Sequence, residues 1–227
     1  MTRWQHARAE KVEDLVLGVE EIHQAARGKI ILLEGIDTNL FQSGLADLPF
    51  RAMSIPGVYL APGGEALIPA AYVLPQSIAR KALAANRAVV YRFDGEMLHN
   101  VTAHAGASWT EEDPRFVNIG DPVFADYLGA GWREAADGYR RMDGAGIVRI
   151  AAPRSSAESL YLGVFETRDF LPRVRVNGVN VPVALGRRDI DLSEFRATLP
   201  PEAVQWRRME VTIESGMPLR FGYAEVR

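Results

Sequence analysis

The sequence contains no cysteine among its 227 residues. That absence excludes a disulfide framework, a thiolate nucleophile and a cysteine-bound metal. Long apolar runs are also missing, and none approaches the roughly 20 residues that a membrane-spanning helix needs. The first six residues are followed by a charged stretch and lack the apolar centre of a signal peptide. We therefore expect no direct membrane insertion of this chain.

An excess of charge of either sign is missing as well. The chain has 26 basic and 29 acidic side chains, and its net charge is −3. Neither half offers the positive surface that attracts nucleic-acid backbones, so we predict no nucleic-acid partner. Glycine-rich phosphate-binding motifs are absent too, which argues against a nucleotide cofactor. The 4 histidines lack a standard metal-ligand spacing, so we predict neither a cofactor nor a metal.

What is present is an ordinary globular composition, with 48% hydrophobic and 24% charged residues. Residues 1–105 predict an N-terminal amphipathic helix over residues 3–27, a short helix capped by Asp37 or Thr38 and ending at about Leu45, and a third helix over about 76–85. Short apolar runs at 29–34, 58–61 and 88–93 are typical of buried parallel strands. This half is therefore predicted to be a small α/β unit with a short parallel sheet.

The pattern changes after about Thr110, where no convincing long helix follows. Runs typical of strands occur at 146–151, 159–165, 173–176, 209–213 and 219–226. Asp143-Gly144 and Asn177-Gly178 are strong hairpin signals, because both pairs tolerate positive φ angles. Residues 106–227 therefore predict a β-sandwich, with the boundary in the polar stretch 105–113, and the whole chain is predicted to be an α+β, two-domain protein.

Two sets of motifs resemble known proteins. The run Val174–Val181, followed by Asp191–Phe195 and Met209–Ser215, resembles the galactose-binding-like jelly roll, a fold of carbohydrate-binding modules and of accessory domains in glycosidases. The run Gly131–Glu134, together with Tyr139–Met142, resembles the start of such a domain in soluble regions of large bacterial membrane glycosyltransferase-like proteins. The runs Leu33–Phe41 and Val58–Gly63 are similar to the preceding α/β region of those proteins.

The main candidate site lies at the start of the β-rich half. Trp132 and Tyr139 could stack against a sugar ring, while Glu134, Arg140 and Arg141 could bond its hydroxyl groups. The alternative is structural, with both aromatic residues in the core and Glu134 paired with an arginine. Arg141 stands where the related pattern has tryptophan.

A secondary candidate site lies where the strands of the α/β half end. Asp37, Thr38 and Asn39 follow the first strand, and Gly63 and Gly64 follow the second. Ligands bind at the carboxyl ends of strands in open sheets, and glycines admit a ligand close to the backbone. The structural alternative is a helix cap at Asp37 and a turn at the two glycines.

The predicted function is that of a non-catalytic accessory or carbohydrate-binding module of a bacterial carbohydrate-active protein, with a glycan or the rest of that protein as partner. The compartment stays open, although membership of a membrane protein would favour an extracytoplasmic location. One alternative is an enzyme acting on carbohydrate, with acids drawn from Glu111, Glu112, Asp113 and Asp121. The other is a structural or protein-interaction domain without a small ligand.

Overall fold

The computed structural model describes residues 3–46, 49–63, 67–136, 138–166, 169–204 and 206–227. They form a mixed, sheet-rich structure with few helices and several antiparallel pairings. The prediction of a mixed α and β fold is confirmed in this coarse form. The chain divides into two compact units, Met1–Glu111 and Glu112–Arg227. In the part of the chain described, no helix is long and apolar enough to cross a membrane.

The first unit combines helices with a four-stranded sheet. Its long helix α1 (Arg3–Ala25) buries Leu15, Val19 and Ile22, which recur at helical spacing and pack in the core. The other elements are β1 (Ile30–Glu34), α2 (Thr38–Leu40), a π-helical turn (Phe41–Leu45), α3 (Pro49–Ala52), β2 (Val58–Leu60), α4 (Gln76–Ala84), β3 (Ala88–Phe93) and β4 (Leu98–Asn100), with short 3-10 turns at Ala70–Tyr72 and Thr102–His104.

Strand β1 lies inside this sheet, whose order is β2-β1-β3-β4. Strands β2 and β3 pair with β1 in parallel, and β4 returns antiparallel to β3. Ile31, Leu32 and Leu33 are buried, as a strand covered on both faces requires. Because the three parallel strands run in one direction, their carboxyl ends meet at one edge of the sheet, which we call the carboxyl edge.

The chain turns sharply at this edge, immediately after β1. Gly35 has a φ of +78°, and a Cβ atom built there would lie 2.2 Å from the carbonyl oxygen of Phe93. Only glycine fits both the backbone conformation and the available space. The turn keeps the end of β1 against the end of β3, where Glu34 and Arg92 are partners in strand register.

The second unit is built from antiparallel strands. They are β5 (Phe116–Asn118), β6 (Trp132–Ala136), β7 (Tyr139–Met142), β8 (Ala145–Ala151), β9 (Leu160–Val164), β10 (Arg173–Val176), β11 (Val179–Val181), β12 (Val183–Arg188), β13 (Ser193–Ala197), β14 (Arg208–Glu214) and β15 (Leu219–Val226). Short 3-10 turns lie at Pro122–Tyr127 and Pro201–Ala203. Strands β8, β9, β10, β14 and β15 lie where the sequence predicts strands, whereas β5, β6, β7, β12 and β13 were not predicted.

These strands form two sheets within the described residues. The smaller has the order β11-β10-β14-β8, and the larger has the order β12-β13-β9-β15-β7-β6, with β5 also paired with β15. Alternate residues of both sheets are fully buried, which places them on one face of each sheet, as a β-sandwich requires. They include Val148, Ile150, Met209, Val211 and Ile213 from the smaller sheet and Leu160, Leu162, Val164, Phe195 and Phe221 from the larger one.

Asn177 holds the hairpin between β10 and β11. It adopts a φ of +51°, which asparagine tolerates better than most residues. Its side-chain amide donates to the carbonyl oxygen of Ala203 at 2.8 Å, and its side-chain oxygen accepts from the backbone N–H of Glu210 at 2.9 Å. The side chain therefore connects the hairpin to a 3-10 turn and to β14.

We expect Asn177→Ala to destabilise the second unit by about 2–3 kcal/mol, because it removes two hydrogen bonds and strains the left-handed backbone. Hydrogen–deuterium exchange of the peptides that cover β10, β11 and β14 measures this loss. Asn180→Ala, an exposed position on β11, is the matched control and should change exchange little. Equal exchange in the two variants would contradict this role of Asn177.

Candidate functional site

The main candidate residues lie on the hairpin of β6 and β7 in the larger sheet. Trp132 on β6 pairs with Met142 on β7, and a β-bulge interrupts the pairing between Trp132 and Ala135. Because side chains alternate along a strand, Arg140 lies on the same side of the sheet as the buried Met142, whereas Tyr139 and Arg141 lie on the other side. The predicted set is therefore divided between two faces.

Trp132 is half-buried and contacts the interior. Its indole N–H donates to the carbonyl oxygen of Ile147 at 2.7 Å, and its ring meets Phe221 edge to face with centroids 5.5 Å apart. A Cβ atom at Gly146 would lie 2.7 Å from the indole ring, so the glycine makes room for it. These contacts give Trp132 the structural role that the sequence left open as the alternative.

The arginines of β7 are engaged in the protein. Arg140 donates through Nε to the carbonyl oxygen of Ile119 at 2.9 Å and through Nη1 to that of Arg133 at 3.0 Å. Arg141 and Arg133 both bind the carboxylate of Asp143, whose pKa they lower. Glu134 is exposed, and no hydrogen bond or ion pair joins it to another of the described residues.

Tyr139 has neighbours around its ring. The guanidinium carbon of Arg220 lies 5.3 Å from the centroid of the Tyr139 ring, and the ring of Phe165 lies 6.1 Å away. A sugar that stacked on the face beneath Arg220 would have to displace that guanidinium group. Tyr139 therefore meets only part of the requirement for a stacking platform.

A second group on the outer face of this sheet was missed by sequence reasoning. Tyr223 donates to Glu194 at 2.6 Å, Arg227 also binds Glu194 at 2.5 Å, and the Arg227 guanidinium lies 4.0 Å from the centroid of the Tyr161 ring. Burial and the Glu194 carboxylate raise the pKa of Tyr223. These residues come from β9, β13, β15 and the residue after β15, so no local motif marks them. Their polar groups bind one another.

The acids proposed for the enzymatic alternative have partners of their own. Glu111 faces Arg80 at 3.4 Å in the first unit. In the second unit, Glu112 binds Arg154 at 3.1 Å and Asp113 binds Arg208 at 2.7 Å. The carboxylate of Asp121 accepts the backbone N–H of Val123 at 3.0 Å. Each of these contacts is a structural one, and none of them pairs one carboxylate with another.

The secondary candidate residues lie at the carboxyl edge of the first unit. Asp37 caps α2, because its side chain accepts the backbone N–H of Leu40 at 2.7 Å. Thr38 is the first residue of α2, and the carbonyl oxygen of Asn39 accepts from Arg8 and from Ser43. Gly63 has a φ of +92° and lines a cavity. Gly64 lies outside the described residues.

This cavity has a volume of about 330 Å³ and lies at the ends of all three parallel strands. It is partly open to solvent and has both apolar and polar walls. Its lining residues are Leu33, Glu34, Gly35, Ile36, Leu60, Ala61, Pro62, Gly63, Ile68, Val73 and Arg92. Of the secondary candidate set, Gly63 is among the lining residues, whereas Asp37, Thr38 and Asn39 lie at the start of α2 and are not among them.

Among the described residues of this lining, one ion pair supplies the charge. Arg92 donates to Oε2 of Glu34 through Nε at 3.1 Å and through Nη2 at 2.8 Å. The side chain of Glu34 is 24% exposed and that of Arg92 is 61% exposed. Hydrogen bonds among the described residues use neither Oε1 of Glu34 nor Nη1 of Arg92. Sequence reasoning missed both residues.

Histidine contributes to a turn in the first unit. Nε2 of His99 lies 2.6 Å from Oδ2 of Asp94, at the turn between β3 and β4. Hydrogen bonds to its carboxylate lower the pKa of Asp94 to about 2. The largest effect comes from the backbone N–H of Met97, followed by His99 and then by the backbone N–H of Glu96. The described residues contain no group of three or more histidines or acids that could hold a metal ion.

We expect Trp132→Phe to destabilise the second unit by about 1 kcal/mol, because phenylalanine keeps the aromatic packing but loses the hydrogen bond to Ile147. Urea denaturation followed by circular dichroism measures the change. Trp206→Phe, at a side chain that is 69% exposed, is the matched control and should be nearly neutral. A neutral Trp132→Phe variant would contradict the structural role of the indole N–H.

We expect the carboxyl group of Asp94 to titrate with a midpoint near pH 2. Its folded-state pKa is depressed, so its stabilising effect on the turn is present above the unfolded value of 3.8 and is lost as the pH falls through about 2. Carbon-13 NMR of the carboxyl group between pH 5 and pH 1.5 measures the midpoint. A midpoint near 3.8 would contradict the hydrogen-bonded turn.

No protein-family model matches the chain, and no curated protein matches it either. The resemblance to soluble regions of membrane glycosyltransferase-like proteins therefore stays a prediction that rests on the motifs quoted above. The cavity at the carboxyl edge combines open space with charged groups that retain unused hydrogen-bonding capacity toward the described residues.

Proposed function

We propose that the chain is a non-catalytic, carbohydrate-binding accessory module and that the cavity at the carboxyl edge of the first unit takes the sugar. The observation that carries this proposal is the Glu34–Arg92 pair in the cavity lining, in which Oε1 of Glu34 and Nη1 of Arg92 make no hydrogen bond to any residue that the structure describes. The cavity and its charged pair lie at the carboxyl edge, and the cavity is lined in part by Gly63, a candidate residue predicted from the sequence.

The position of the cavity supports ligand binding. Strand β2 pairs with one side of β1. Strand β3, which follows β2 in the chain, pairs with the other side of β1. Such a reversal of strand order opens a crevice at the carboxyl ends of the strands, where open α/β sheets bind their ligands. The volume of about 330 Å³ lies at the lower end of the usual range for ligand pockets, so the ligand would be small.

The chemistry of the lining favours a sugar over a purely apolar ligand. Leu60, Ile68 and Val73 offer apolar surface to the C–H face of a pyranose ring, and Glu34 and Arg92 offer charged partners to its hydroxyl groups. A sugar combines the same two kinds of surface on one small molecule. The match is one of chemical type and of size.

The proposal of a non-catalytic role rests on the number of carboxylates. Glycoside hydrolysis generally uses two acidic side chains, one on each side of the bond that breaks. The described lining of the cavity contains one, Glu34, and it is already paired with Arg92. Elsewhere, Glu111, Glu112 and Asp113 are bound to arginines, which does not favour the enzymatic alternative.

For the second unit we propose the jelly-roll-like β-sandwich that its motifs resemble, as an accessory domain of a larger carbohydrate-active protein. The two antiparallel sheets and their buried inner faces support this proposal. A protein-interaction role is the second candidate, because Leu185 on β12 and Ile190 shortly after it are exposed, the latter to 90%. Strand β12 is also an edge strand of its sheet.

We expect neutral methyl pyranosides of glucose, galactose or mannose to shift NMR signals of the residues that line the cavity. At about 0.3 kcal/mol for each of roughly 13 non-hydrogen atoms, the dissociation constant should be about 1 mM. Val73→Phe should fill the cavity and abolish binding, whereas Val183→Phe on β12 is the matched control and should preserve it. Absence of binding, or equal binding by both variants, would overturn the proposed site.

A further inference from the structure

We infer that the cavity at the carboxyl edge recognises an uncharged ligand through two adjacent hydroxyl groups, one donating to Oε1 of Glu34 and the other accepting from Nη1 of Arg92. This inference rests on the proposed function and deepens it, because it names the class of sugar that the site accepts. Charged sugars, whether uronates, sugar phosphates or amino sugars, are predicted to bind less well.

The atoms left unused by the ion pair lead to this inference. Both bonds from Arg92, through Nε and Nη2, go to the same oxygen of Glu34. The other carboxylate oxygen, Oε1, can accept, and Nη1 of the guanidinium can donate. The two groups belong to one ion pair, and two neighbouring hydroxyl groups, of which one donates and the other accepts, match them in chemical type.

The charge of the pair gives the selectivity. Glu34 and Arg92 neutralise each other, so the lining presents no net charge from its described residues. An anion that approached Arg92 would also meet the carboxylate of Glu34, and a cation at Glu34 would meet the guanidinium of Arg92. An uncharged diol bonds both groups without breaking the ion pair and without losing the hydration of a charge.

The backbone holds this pair in place before any ligand arrives. Glu34 and Arg92 are register partners on the parallel strands β1 and β3. Next to them, a Cβ atom at Gly35 would lie 2.2 Å from the carbonyl oxygen of Phe93, so the two strand ends are in close contact. The backbone positions that carry the pair are therefore set before binding, which lowers the cost of ordering this edge around a small ligand.

Substitutions that remove the charge of one partner test the inference. Each should weaken binding of the neutral sugar and strengthen binding of one class of charged sugar. In Glu34→Gln the arginine is left without its counter-charge, so the neutral methyl pyranoside should bind about tenfold more weakly and D-glucuronate should bind more tightly than to the wild type. In Arg92→Gln the neutral sugar should again weaken about tenfold, and D-glucosamine should gain affinity. NMR titration of the full chain gives each dissociation constant.

Exposed positions away from the cavity supply matched controls. Glu13→Gln on α1 and Arg87→Gln at the amino end of β3 make the same chemical changes and should leave all three affinities unchanged. Circular dichroism of each variant verifies that the fold is intact.

The outcomes separate this inference from the proposed function. Weakened binding of the neutral sugar in both cavity variants, together with opposite gains for the two charged sugars, would support the inference. If the wild type binds a sugar in the cavity but prefers glucuronate or glucosamine, or if neither Glu34→Gln nor Arg92→Gln alters neutral binding, the inference is wrong while the proposed function stands. If the wild type binds none of the probes, the proposed function itself fails.

Discussion

The burial of β1 between two parallel neighbours is the constraint on which the candidate site depends. Ile31, Leu32 and Leu33 have no access to water, so a charged side chain in the middle of this strand would incur a large desolvation cost. Charge can therefore enter only where the strand ends, at Glu34, and it is balanced there by Arg92 on the neighbouring strand. The same apolar packing that stabilises the sheet concentrates its chemistry at the carboxyl edge.

The second unit distributes its polar groups differently. The buried residues of its two sheets alternate with charged and aromatic residues on the outer faces. On the larger sheet, arginines cover tyrosine rings and bind carboxylates, as Arg227 does with Tyr161 and Glu194. These groups largely satisfy one another, which suits a stable surface better than a vacant binding site. The first unit, whose cavity places charged groups beside open space, is therefore the better candidate for a ligand-binding site.

Sequence reasoning recovered those parts of the fold that local patterns encode. Short apolar runs located β1 and β3, and the Asn-Gly pair located the hairpin at Asn177. The strands β6 and β7 were missed because arginine and glutamate interrupt their apolar residues. The Glu34–Arg92 pair was missed for another reason, since it joins residues 58 positions apart and depends on the register of β1 with β3. Motifs next to a strand end indicated the edge where the cavity lies, but pairing across strands decides which side chains line it.

The energetics of the Glu34–Arg92 pair help to separate recognition from stability. Arg92 is largely exposed, and an ion pair with such access to water contributes only about 0–1 kcal/mol to folding. The backbone turn at Gly35 and the apolar core of β1 already fix the strand ends without it. The stability of the fold therefore depends little on this pair. The proposed recognition does depend on it, because a hydroxylated ligand would gain from an acceptor and a donor beside apolar walls.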